Sequence, residues 1–145
     1  MKLFFLVAAA VVLLSACGKD PFQTVPQIKI KSLSSTVVPL NSNLQINLGF
    51  TDKEGDISEG RLIYQPIRLN KRPLQADIPP YNIDSTTLPV FPKEIEGTMQ
   101  VTLLYNNLHR SDLENDTINI KFVVYDKAGH KSDTVTTDKI VVLKN

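Results

Sequence analysis

Apolar and polar residues alternate with period two over several short stretches of this chain. Ile28 and Ile30 take turns with Lys29 and Lys31, and Leu44, Ile46, Leu48 and Phe50 take turns with Gln45, Asn47 and Gly49. Such alternation sends every second side chain to a core and leaves the other face wet, as in a half-buried strand. Residues 61–69 predict a third strand, in which Pro66 points to an edge or a bulge because proline brings no N–H to a ladder. Met99, Val101, Leu103 and Tyr105 predict another; Ile118, Ile120, Phe122 and Val124 make the cleanest run, and Ile140 with Val142 the last. No 3.6-residue period is found in residues 27–145, so no helix is expected there. Short strands separated by Gly, Asp, Asn and Pro clusters predict an all-β chain folded as an antiparallel β-sandwich.

The rhythm breaks between residues 70 and 95, which hold Pro73, Pro79, Pro80, Pro89 and Pro92. This segment reads as a long proline-rich loop with one irregular edge strand around Leu74 to Ile78. Tyr81, Ile83, Leu88, Val90 and Phe91 give it apolar groups to pack. It is expected to be a flap over a sheet edge or a binding surface, with Tyr81 and Phe91 as the candidate contacts.

At the N-terminus Lys2 precedes an uncharged apolar run from Leu3 to Leu14, closed by Leu14-Ser15-Ala16-Cys17. The run falls short of the ~20 residues that span ~30 Å of hydrocarbon, and its anatomy is that of an export signal. Leu-Ser-Ala-Cys resembles the lipobox of bacterial lipoproteins. The resemblance implies that residues 1–16 are a signal peptide removed on export and that Cys17 becomes the lipidated first residue, bearing acyl chains such as palmitate. Residues 17–26 are then a lipidated tether and 27–145 the folded domain. Extended, residues 18–26 reach at most about 30 Å, so the domain stays near the membrane. Gly18 after the cysteine, in the sorting pattern of these proteins, points to the outer membrane of a Gram-negative cell.

Composition narrows the picture further. The 16 Lys and Arg and 15 Asp and Glu fall into balance once Lys2 is lost, which leaves no electrostatic case for nucleic acid. Cys17 is the only cysteine, so no disulfide staples the fold. Stability has to come from the core, alone or with a bound ion.

Two acidic turns carry the remaining signal. Phe50-Thr51-Asp52-Lys53-Glu54-Gly55-Asp56-Ile57 and Val124-Tyr125-Asp126-Lys127-Ala128-Gly129-His130 each leave a predicted strand. The first resembles the Asp-x-Asp-Gly-Asp turn, and the second the Asp-x-Ala-Gly-Asn turn, of bacterial immunoglobulin-like and cadherin-like domains. Here Glu54 stands at a usual Asp and His130 at a usual Asn. The resemblance implies an immunoglobulin-like sandwich whose B–C and F–G loops share one end, the end where the tether enters. Asp52, Glu54, Asp56 and Asp126 would then converge, and Ca2+ is the cation such oxygens suit. The alternative is that these Asp side chains bond their own backbone and simply make the turns.

Catalytic groupings do not emerge. His109 and His130 fall in polar, turn-like surroundings without a partner at metal-ligand spacing and read as surface residues. No nucleophile elbow, phosphate-cradling loop or zinc signature occurs. Asp84-Ser85-Thr86, Asp116-Thr117-Ile118 and Asp133-Thr134-Val135 resemble the acceptor pattern for O-glycosylation in some exported Gram-negative proteins. The expected function is a non-catalytic, lipid-anchored binding or scaffold module of the cell envelope with a protein partner. The alternative is an accessory glycan-binding lipoprotein, against which stand the absence of Trp and the small number of Phe and Tyr.

Overall fold

The computed structural model describes residues 24–144, and within them the period-two stretches become strands. In chain order these are β1 (Gln27–Leu33), β2 (Val37–Val38), β3 (Asn43–Thr51), β4 (Arg61–Arg68), β5 (Asp84–Thr87) and β6 (Glu96–Leu104). A single helical turn, α1 (Tyr105–Leu108), precedes β7 (Asp116–Tyr125), β8 (Val135–Thr136) and β9 (Ile140–Val142). The export segment, Cys17 and the first part of the tether lie outside the described residues.

The strands make two sheets, one ordered β1-β3-β6 and the other β2-β9-β7-β4-β5, with β8 also on β7. Read as A, A′, B, C, C′, E, F and G, with β8 and β9 as a broken G strand, this is the immunoglobulin arrangement. The chain is an all-β sandwich of that type. Leu44, Ile46, Leu48 and Phe50 of β3 face Ile118, Ile120, Phe122 and Val124 of β7, so the two cleanest alternating runs supply the opposing walls of one core. β2 runs parallel to β9, and the other strand pairs among the described residues are antiparallel.

Three expectations need correction. No strand forms around Leu74 to Ile78, where the backbone instead turns and Ile78 N–H donates to Gln75 O at 3.0 Å. The edge strand is β5, whose exposed Asp-Ser-Thr-Thr carries no apolar alternation because neither face is covered. One helical turn occurs where none was expected, since α1 is too short to show a period. Tyr105, read as the end of a strand, is its buried first residue. Pro66 sits beyond the β4–β5 pairing, which ends at Tyr64, so β4 is open on that side as its proline requires.

Register fixes which loops meet. Gln27 pairs with Thr51 and Thr51 with Glu96, while Arg61 pairs with both Tyr125 and Thr87. Residues 24–26, the described part of the expected tether, therefore lead into β1 at the end that carries the B–C and F–G loops, called the tether end below. α1 and the start of β7 lie at the opposite end.

Candidate functional site

At the tether end the B–C loop closes on Asp52. Its carboxylate is buried, with Oδ1 accepting from Glu54 N–H (3.2 Å) and Oδ2 from Asp56 N–H (3.0 Å). Burial raises the Asp52 pKa, and the neighbouring Asp56 carboxylate adds to the rise against those backbone hydrogen bonds. Gly55 takes φ +66°, a left-handed conformation suited to glycine, in this turn. Gly60 ends the loop where a Cβ would stand 2.2 Å from Tyr125 O, so only glycine lets β4 start against the end of β7.

The F–G loop closes in the same way. Asp126, also buried, accepts from His130 N–H at 2.7 Å, and its second oxygen lies 2.9 Å from His130 Nδ1. Lys127 N–H donates to Asp56 O at 3.0 Å, tying the two loops together, and Glu54 Oε2 is 4.0 Å from His130 Nδ1. The two acidic loops thus meet at one end, with Asp52 next to Asp56 in the first and Glu54 reaching toward the second. Between the loops stands the imidazole of His130, whose pKa is raised by its hydrogen bond to Asp126 and further by Glu54 and Asp56.

Two of the four carboxylates, Asp52 and Asp126, are held as turn formers. The carboxylate oxygens of Asp52 and Asp126 are already engaged, by backbone N–H groups and by His130. Among the described residues no group of three or more His, Cys, Asp or Glu side chains is set to hold a metal ion. The aspartates act as turn formers bonding their own loops.

The opposite end holds a second charged cluster that the sequence did not announce. Asp116, fully buried, accepts from Arg68 Nε (2.8 Å), Arg110 N–H (2.7 Å) and Ser111 N–H (2.8 Å). Arg68 also pairs with Glu114 at 2.6 Å. The Arg110 guanidinium lies 4.7 Å from the centre of the Tyr81 ring, and Tyr81 Oη donates to Leu108 O. His109 is mostly covered and stacks on Tyr105 at 5.1 Å, which corrects its reading as a surface residue.

These contacts change the meaning of the proline-rich segment. Tyr81 is 9% exposed and serves the core, so it is not held out toward a partner. Desolvation pushes its hydroxyl pKa well above the ordinary tyrosine value. Residues 69–83 belong to the far end, β5 runs along the side, and residues 88–95 return to the tether end. The segment is two loops and a strand, not one surface. Phe91 lies beside Phe50, with ring centres 6.1 Å apart, at the mouth of a groove.

The groove is the open side of the sandwich. It runs between β6 and the β4–β5 edge, has a volume of about 600 Å³, and is walled by Leu62, Tyr64, Phe91, Met99, Val101 and Leu103. β6 borders it with an edge that pairs with no other strand among the described residues. The two edges of this sheet differ in kind. β1 carries Lys29 and Lys31 and a register shift between Ile30 and Ser32, whereas β6 pairs in unbroken register and has neither proline nor lysine. Lysine and bulges are what folded proteins use to stop an edge from accepting another strand.

No Ser or Thr hydroxyl is hydrogen-bonded to a histidine among the described residues, and the Asp52 and Asp126 carboxylates are committed to loop closure. No family model matches the chain, and no curated protein is similar in sequence. Similarity appears only among solved structures. A sporulation control protein from Bacillus subtilis gives a TM-score of 0.47 at 11% identity, over 83% of this chain and 50% of that one. A β-glucosidase from Listeria innocua gives 0.45 at 13% identity, over 81% of this chain and 16% of the enzyme. A cohesin module from a Clostridium perfringens family 33 glycoside hydrolase gives 0.40 at 14% identity, over 84% of this chain and 99% of the module. The chain thus spans half of the first protein and a small fraction of the second. At these scores the comparisons carry no argument about function, and the sandwich assignment rests on the strand order given above.

Proposed function

We propose that this chain is a non-catalytic binding module of the cell envelope, anchored through a lipid on Cys17 to the outer membrane of a Gram-negative bacterium. In this reading a protein partner adds an extended segment to β6 and lays alternate side chains into the adjoining groove, a mode that takes affinity from main-chain hydrogen bonds and specificity from pockets. The observation that carries it is the β6 edge, regular over its length, unblunted, and bordered by an apolar groove. The lipobox and the tether of residues 18–26 support the anchoring. Glycan binding has less behind it, because Tyr81, Tyr105 and Phe122 are drawn into the core and form no exposed platform.

Two assays test the two halves. Metabolic labelling with a fatty acid marks the chain, and Cys17→Ala abolishes the label and releases the domain from the membrane fraction. For the edge, Gln100→Lys with Thr102→Lys abolishes recovery of the envelope partner while the melting temperature stays within a few degrees. Partner recovery unaffected by the two lysines would exclude β6 as the contact.

A further inference from the structure

Residues 88–95 are pinned along their backbone while the side chains of Val90 and Ile95 stand in solvent. Phe91 N–H donates to Ser58 Oγ (3.0 Å), Asp52 N–H to Ile95 O (2.7 Å) and Glu59 N–H to Pro89 O (3.5 Å). Val90 is nevertheless 79% exposed and Ile95 60%, two of the three most exposed large apolar side chains among the described residues. Pro89 and Pro92, also exposed, restrict the loop between them. The side chains are therefore held out by a backbone already ordered, so burying them costs little further chain entropy.

Their position names an occupant. Ile95 lines the same hollow as Val25 and Gln27, where the tether meets β1. The apolar tip thus lies at the end from which the chain runs back to Cys17. A tether reaching at most about 30 Å keeps that end at high effective concentration over the bilayer, so weak insertion suffices.

We propose that Val90 and Ile95, flanked by Pro89 and Pro92, insert into the lipid surface and set the orientation of the anchored domain. This rests on the reading of Cys17 as the anchor. Lys53 and Lys93 near the tip are offset by Glu54, Glu94 and Glu96, so the attraction is apolar burial with no cationic excess to read anionic headgroups. Docked in this way, β6 starts at the bilayer with Glu96 and runs outward, presenting its free edge side-on to the membrane.

The test uses the chain from Cys17 onward, coupled through its only thiol to a maleimide phospholipid in phosphatidylcholine vesicles doped with a nitroxide-headgroup lipid. Amide relaxation enhancement is then read residue by residue. Coupling supplies the anchor whether or not the cell acylates Cys17, which the labelling assay decides separately. We expect enhancement around Val90 and Ile95 to exceed that around Asn107 and Glu114 by roughly tenfold, and Val90→Ser with Ile95→Ser to remove the contrast. Replacing a third of the lipid by an anionic one leaves the contrast unchanged. An unchanged contrast in the double variant overturns the proposal, as does one that appears only with anionic lipid. It is equally overturned if the double variant loses the envelope partner but keeps its relaxation pattern, since the tip is then a protein contact.

Discussion

The two ends of the sandwich both concentrate charge, but they use it differently. At the far end Asp116 is sealed from water and shared among Arg68 and the Arg110 and Ser111 amides, so the charges hold elements that lie far apart in sequence. At the tether end Asp52 and Asp126 each fold back on their own loop, and the closest charge pair, Lys127 with Glu59, is exposed and contributes little. Acidity therefore marks a structural clamp at one end and self-contained turns at the other. The aspartates at the centre of each cluster, Asp52, Asp126 and Asp116, are all bonded to backbone N–H groups, and the apolar groove lies on the side between the two ends, bounded by β6.

The comparison can be broken from its strongest side first. Asp116→Ala leaves Arg68 Nε and the Arg110 and Ser111 amides unpaired inside the protein and is expected to cost about 3–5 kcal/mol, measured by urea unfolding. Gly60→Ala at the other end forces a Cβ against Tyr125 O and Ile57 O, with an expected loss of roughly 1–3 kcal/mol. Tyr81→Phe removes the hydroxyl that donates to Leu108 O while keeping the ring, for about 1 kcal/mol in the same assay.

The smallest effect is a pH dependence confined to the tether end. The His130 pKa is raised on folding above its ordinary value of 6.5, so the folded chain holds that proton more tightly. The stabilisation is complete below pH 6.5 and fades as pH rises through the folded-state value. A melting temperature that falls slightly between pH 6 and pH 8 in the parent, and loses that fall in His130→Gln, is the expected result.

How much of this was readable in advance follows from where each partner lies. β3 and β7 announce themselves because alternation is local and each strand covers one core wall. The meeting of the two acidic loops at one end was legible too, since strand order alone brings them together. The side chain between them was not: His130 stands at a usual Asn, and only geometry shows its ring taking the Asp126 oxygen. Asp116 gave no signal, because Arg68 is 48 residues away in the chain. β5 was missed for a different reason. An edge strand with both faces wet has no apolar positions to alternate, and the neighbouring Leu74 to Ile78 offered a misleading pattern. Tyr81 was assigned to the surface because a proline-rich loop predicts exposure, whereas its hydroxyl finds a carbonyl on α1.

The central claim is that β6 is the edge used and β1 the edge protected. Photocrosslinking in cells, with the reactive residue placed at Gln100 in one strain and at Lys29 in another, compares them directly. The account predicts a discrete envelope adduct from Gln100 that disappears when Thr102→Lys is added, and none from Lys29. Adducts of equal yield from both edges, or from Lys29 alone, would contradict it.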